Sequence, residues 1–152
     1  MEEKTRGVFH GEAYRIKLIS NNQGYGPMPD PAQEIEQRLT LSSTGRVWLS
    51  GYGMNMDGTV SMLRRLQFTI DSKIASDLIN QISDYFSKEH NMLFVTDVGN
   101  WELELFNQNQ EKFKFWGPLV PTEETMLMEV SRQLREYVRC DLFGFDGGSL
   151  VE

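Results

Sequence analysis

Trp101, Leu103 and Leu105 alternate along the chain with Glu102, Glu104 and Phe106. After a short polar break, Phe113 and Phe115 alternate with Lys112, Lys114 and Trp116. Period-two alternation marks a strand with one buried face, because successive side chains point to opposite sides of the sheet. The two runs predict a β-hairpin. Its register follows from the need for apolar residues to share a face, since a slip of one residue would reverse every side chain. A three-residue loop, Gln108-Asn109-Gln110, sets Leu105 opposite Phe113, Leu103 opposite Phe115 and Glu104 opposite Lys114. That loop needs a left-handed residue at Gln110. Trp101 falls on the apolar face, whereas Phe106 and Trp116 fall on the polar one.

The same pattern recurs upstream. Tyr14, Ile16 and Leu18 share one face of a strand, with Arg15 and Lys17 on the other. Residues 35–52 predict a second hairpin, turning at Ser43-Thr44-Gly45 with Gly45 in the left-handed position. Leu41 then faces Val47, Leu39 faces Leu49, and Thr40 faces Trp48 on the opposite side. The Asp57-Gly58 turn leads into a fourth strand over 61–70. Leu66, Phe68 and Ile70 are expected inward there, and Arg65, Gln67 and Thr69 outward. The loop over 20–33 holds Pro27, Pro29, Pro31, Gly24 and Gly26, and carries Tyr25 and Met28 as apolar groups.

Between and after the strands the period changes. Ile74, Ala75, Leu78, Ile79, Ile82, Tyr85 and Phe86 form one stripe at helical spacing, which predicts a helix over 72–89 capped by Asp71 or Ser72. Thr122 reads as the N-cap of a second helix, with Glu123 and Glu124 in its first turn and Leu127, Val130, Leu134, Tyr137 and Val138 as its stripe. Residues 91–97 are apolar without a clear period and fit a short buried strand or an extended connector. Leu142 to Phe145 is a candidate edge strand. The expected class is α+β: a mainly antiparallel sheet of about six strands, in the order ββββ-α-ββ-α, with both amphipathic helices on one face.

Length and charge narrow this further. A chain of 152 residues fits one domain, 1–152, with 1–6 and 149–152 expected to be disordered tails. No apolar run approaches a membrane span, and the polar N-terminus is not a signal peptide. The single Cys140 fits a reducing compartment, so a cytoplasmic location is expected. Residues 1–71 balance eight acidic against eight basic side chains; residues 72–152 hold fourteen against seven, which is the whole net charge of −7. That balance argues against binding along a phosphate backbone, so no nucleic-acid partner is expected.

Candidate chemistry is sparse. His10 and His90 are the only histidines, neither has a partner at ligand spacing, and no metal or cofactor is expected. The glycines of the proline-rich loop do not form a phosphate-binding motif, and Asn55 with Asp57 lacks the glutamate of a calcium loop. A hydrolase-like enzyme would place Asp97, Glu102 and Glu104 in a cleft with His90 or Tyr25. Lys114 opposite Glu104 favours the charged carboxylate, the reverse of what a general acid needs. An acidic inhibitor or nucleic-acid mimic would use the C-terminal half. The leading expectation is a non-catalytic binding or protein-interaction domain working through Trp48, Phe106 and Trp116 on the outward sheet face, with Tyr25 nearby. Its partner would be another protein or a second copy of the chain.

The segments RVWLS at 46–50, ISDYFS at 82–87, and DVGNWELEL with FKFWG within 97–117 resemble those of an uncharacterised group of small bacterial α+β domains. The likeness spans roughly residues 12–146 and rests on turn residues, core aromatics and alternating strands. It implies a compact α+β domain and carries no functional residue.

Overall fold

The computed structural model describes residues 4–5, 7–22, 30–90, 98–120 and 125–147. The strands are β1 (Lys4–Thr5), β2 (Ala13–Asn21), β3 (Glu36–Ser42), β4 (Arg46–Met54), β5 (Val60–Thr69), β6 (Asn100–Asn107) and β7 (Lys112–Pro118). Helix α1 (Ser72–Phe86) lies between β5 and β6, and α2 (Thr125–Val138) follows β7. The class is α+β, and the six expected strands are all present in the order ββββ-α-ββ-α, paired antiparallel. The two-residue β1 adds a seventh, parallel to β7, within the stretch 1–6 expected to be a loose tail. Across the sheet the order is β1-β7-β6-β2-β3-β4-β5. Thus β2, first of the long strands in sequence, lies at the centre and joins the two hairpins.

Both hairpins form in the register that shared apolar faces require. Leu103 pairs with Phe115 and Leu105 with Phe113, while Leu39 pairs with Leu49 and Leu41 with Val47. Gly45 has φ +97° and Gln110 has φ 66°. A non-glycine residue can hold the left-handed conformation at Gln110 because Asn107, fully buried, organises the loop. Its side-chain oxygen accepts from the amides of Asn109 (2.9 Å) and Glu111 (3.1 Å), and its amide nitrogen donates to the His10 carbonyl (3.0 Å).

One face of the sheet is the core face. Ile16, Leu18, Leu39, Leu41, Val47, Leu49, Trp101, Leu103, Leu105, Phe113 and Phe115 form a single buried cluster with Leu78, Ile79, Ile82 and Phe86 of α1 and Leu127, Val130, Leu134 and Val138 of α2. Each large side chain buried there contributes roughly 1.5–3 kcal/mol. Asp71 caps α1, its carboxylate accepting from the amides of Lys73 (2.8 Å) and Ile74 (3.3 Å). The helix ends at Phe86, a few residues before the expected boundary, where Ser87 takes over the last carbonyls. Gln81 of α1 donates to Gln133 of α2 at 3.3 Å, tying the helices together. Trp101 packs against the edges of Phe145 and Phe86, with ring centroids 4.8 and 6.0 Å away. Its indole lies over Gly117, where a Cβ would come within 2.6 Å of the ring.

The segment Leu142–Phe145 is not an edge strand. It is a turn laid across the end of the core, with Leu142 and Phe145 buried. Polar groups on three elements hold it. Gln37 of β3 donates to the Asp141 carbonyl (2.9 Å) and accepts from the Phe143 amide (2.7 Å). Ser20 of β2 donates to the Gly144 carbonyl (2.7 Å), and Ser131 of α2 accepts from the Phe145 amide (2.9 Å). Arg135 donates to the Leu142 carbonyl and forms an ion pair with Asp146. Every buried side-chain polar atom among the described residues has a partner, which is what burial of such groups demands.

Candidate functional site

Among the described residues no helix lies over the outer sheet face, and cross-strand pairing fixes which side chains share it. One row runs Lys114, Glu104, Lys17, Thr40, Trp48, Gln67 across β7, β6, β2, β3, β4 and β5. The next runs Trp116, Glu102, Ile19, Arg38, Ser50, Arg65. Trp48, Phe106 and Trp116 all stand on this face, each partly exposed, as their alternation predicts. They do not form one patch. Phe106 and Trp116 belong to β6 and β7, and strands β2 and β3 separate them from Trp48 on β4. Tyr25 lies outside the described residues.

The two regions differ in their charges. Over β6 and β7, Lys112 lies 3.7 Å from Glu104 and Lys114 lies 3.6 Å from Glu102, so lysines and carboxylates neutralise one another. Arg15 of β2 covers the ring of Phe106 at 4.2 Å. Over β3 and β4, Arg38 and Arg46 also lie against aromatic rings. Arg46 sits 5.2 Å from the centroid of Trp48, and Arg38 sits 4.4 Å from that of Tyr52. Such contacts are worth about 0.5–1 kcal/mol at exposed positions.

Here the surface dips into a depression of about 240 Å³. Lys17, Arg38 and Arg65 supply positive charge; Trp48 and Tyr52 supply aromatic surface; Thr40 and Ser50 supply hydroxyls; Met62 completes the rim. No carboxylate lines it. Glu36 holds Arg38 from outside, accepting from its Nε at 2.7 Å, and this hydrogen bond raises the already high pKa of Arg38. Lys17 and Arg65 have no ion-pair partner among the described residues. The arrangement suits a negatively charged group that also presents apolar or planar surface.

The other groups considered from the sequence have local roles. His90 stacks on Tyr85, centroids 3.7 Å apart, and hydrogen-bonds the Tyr85 carbonyl at 2.7 Å. His10 packs edge-on against Phe113. Glu102 and Glu104 belong to the lysine network, and Asp97 lies outside the described residues. No cluster of His, Cys, Asp or Glu among the described residues could hold a metal ion. Asp57 braces the β4–β5 turn through Thr59, whose hydroxyl and amide lower its pKa. A second depression, of about 180 Å³ between α1 and α2, includes Arg132, Gln133 and Glu136, and Arg132 there pairs with Glu129 and Glu136. Among the described residues, no helix is long and apolar enough to cross a membrane.

Tyr52, Lys17, Arg38 and Arg65 were not singled out as site residues from the sequence. Their alternation places them on polar faces, but their convergence depends on β2, β3, β4 and β5 lying side by side. The chain matches no known protein-family model and no curated protein.

Proposed function

We propose that this chain is a non-catalytic interaction domain whose working surface is the outer face of β3, β4 and β5. The observation that carries the reading is the depression beside Trp48 and Tyr52, where Lys17, Arg38 and Arg65 meet with no carboxylate in the lining. Cations beside partly exposed aromatics, with no carboxylate in the lining, favour an anionic protein partner, since complementary charge speeds encounter and aromatic and arginine side chains dominate binding energy. The hydroxyls of Thr40 and Ser50 add hydrogen-bonding capacity without charge. Glutamates paired with lysines over β6 and β7 make that half of the face a weaker attractor, although it carries Phe106 and Trp116.

Affinity capture from native extract tests the reading with three baits: the unaltered chain, Trp48→Ala/Arg65→Glu, and Trp116→Ala/Lys114→Glu. The expected result is an acidic protein retained by the first and third and lost from the second. Loss from the third alone, or equal retention by all three, contradicts it.

A further inference from the structure

The outer face ends at β5, and β5 is an open edge. It pairs with β4 on one side and with no strand on the other among the described residues. A strand edge presents unpaired backbone N–H and C=O groups, a template for another extended chain. The usual protections are incomplete here. The register shift opposite Gly51 and Tyr52 makes Leu63 an extra residue, which breaks regular pairing at that point. From Arg64 to Thr69 the strand continues without a bulge.

That stretch is also under-covered on the core side. Leu66 pairs with Leu49 and Phe68 with Val47, so both point toward the helix-bearing face. Leu49 is 1% exposed, yet Leu66 is 37% exposed, because α1 packs over β2 and β3 and does not reach the edge. The opposite side of the same stretch carries Arg65. Arg64 is neutralised by two hydrogen bonds to Glu34, at 2.7 and 3.0 Å, so Arg65 is the charge left open.

We infer that β5 accepts an extended segment of a partner protein as an added strand, and that this segment alternates apolar with acidic residues. Its apolar side chains cover Leu66 and Phe68 on the core side. Its acidic side chains lie beside Arg65 on the outer side, at the rim of the Trp48 depression. Charge decides against a second copy as the occupant. The strand Val60–Thr69 carries the open charge of Arg65 and no carboxylate to meet it, so β5 against β5 would add a second uncompensated Arg65 to the edge. A nucleic-acid strand has no amides to complete the ladder and no alternating apolar row for Leu66 and Phe68. This inference deepens the interaction-domain reading and rests on it.

The test uses the full chain and a capped decapeptide of alternating valine and glutamate, followed by tryptophan fluorescence and amide hydrogen exchange. Two further peptides are N-methylated, one at every valine amide and one at every glutamate amide. Neighbouring residues in a strand direct their amides to opposite edges, so the expected result is that one methylated peptide binds and the other does not. Binding should protect amides between Arg64 and Thr69. Arg65→Glu, which reverses the charge facing the acidic side chains, and Leu66→Lys, which puts a charge under the apolar ones, should each weaken it about tenfold or more, while Lys114→Glu leaves it unchanged. Near-ultraviolet circular dichroism of each variant confirms the fold. If both methylated peptides bind like the parent, the face is used and strand addition is overturned. If no peptide binds, both readings are overturned. Preference for a single-stranded oligonucleotide, or sedimentation as a dimer with β5 protected, also overturns the inference.

Discussion

Trp101 and Trp48 stand on opposite faces of one sheet. Trp101 is 2% exposed, wedged between Phe86, Phe145 and the bare backbone of Gly117, with helices over it. Trp48 lies half open, with Arg46 against its ring and Lys17, Arg38 and Arg65 around the adjacent depression. The same side chain thus supplies packing energy at one position and contact surface at the other. Within the outer face a second contrast holds: carboxylates meet lysines over β6 and β7, whereas the depression beside Trp48 gathers cations with no carboxylate in its lining. Burial explains the first contrast and charge pairing the second.

The strongest way to break this account is through the core face. Phe145→Ala removes the ring that closes over Trp101, and chemical denaturation should show a loss of about 3–5 kcal/mol. Gly117→Ala adds a methyl where Trp101 already sits, at an expected cost of about 1–3 kcal/mol by the same measurement. Gln37→Leu keeps the volume but leaves the Phe143 amide without its acceptor. It should cost about 1–3 kcal/mol and raise hydrogen exchange selectively over residues 141–147. Trp48→Ala, by contrast, should change stability by less than about 1 kcal/mol, since exposed sites away from caps and cores rarely exceed that. A loss as large as that of Phe145→Ala would erase the distinction between the faces.

The smallest effect is electrostatic. On α2, hydrogen bonds from Arg132 and then Gln133 to the exposed Glu129 lower its pKa from 4.5 to about 2. A depressed folded value means that the ion pair favours the fold above the ordinary carboxylate range and loses that influence as pH falls toward about 2. Because solvent screens an exposed pair, its contribution to stability is small. Carbon-13 titration should place the Glu129 midpoint near 2 and return it toward 4.5 in Arg132→Ala, with the melting temperature unchanged. The measurement calibrates how little a paired surface charge contributes, against which Lys17 and Arg65 near Trp48 stand out.

Local pattern made much of the fold legible. Alternation with shared faces is enough to set the register of both hairpins, including the left-handed Gln110, because each turn joins neighbours in sequence. The fate of Leu66 was not legible in that way. Its inward direction follows from period two, but its cover depends on β5 lying at the sheet edge, beyond α1. The C-terminal turn was misread as a strand because Leu142, Phe143 and Phe145 carry the right residue types. Its real partners, Gln37, Ser20 and Ser131, lie far away in sequence and are polar. The same limit hid the depression: Lys17, Arg38, Trp48 and Arg65 come from four strands, and only their lateral order brings them together.

The positive charge around the Trp48 depression is the centre of the account, and amide chemical-shift mapping tests it most directly. The labelled protein is titrated with poly-L-glutamate, an anionic chain with no sequence to recognise. Shifts confined to Lys17, Arg38, Thr40, Trp48, Ser50, Tyr52 and Arg65 are predicted, with Lys112 and Lys114 left in place. Shifts centred on β6 and β7, or spread evenly over every surface lysine and arginine, would contradict it.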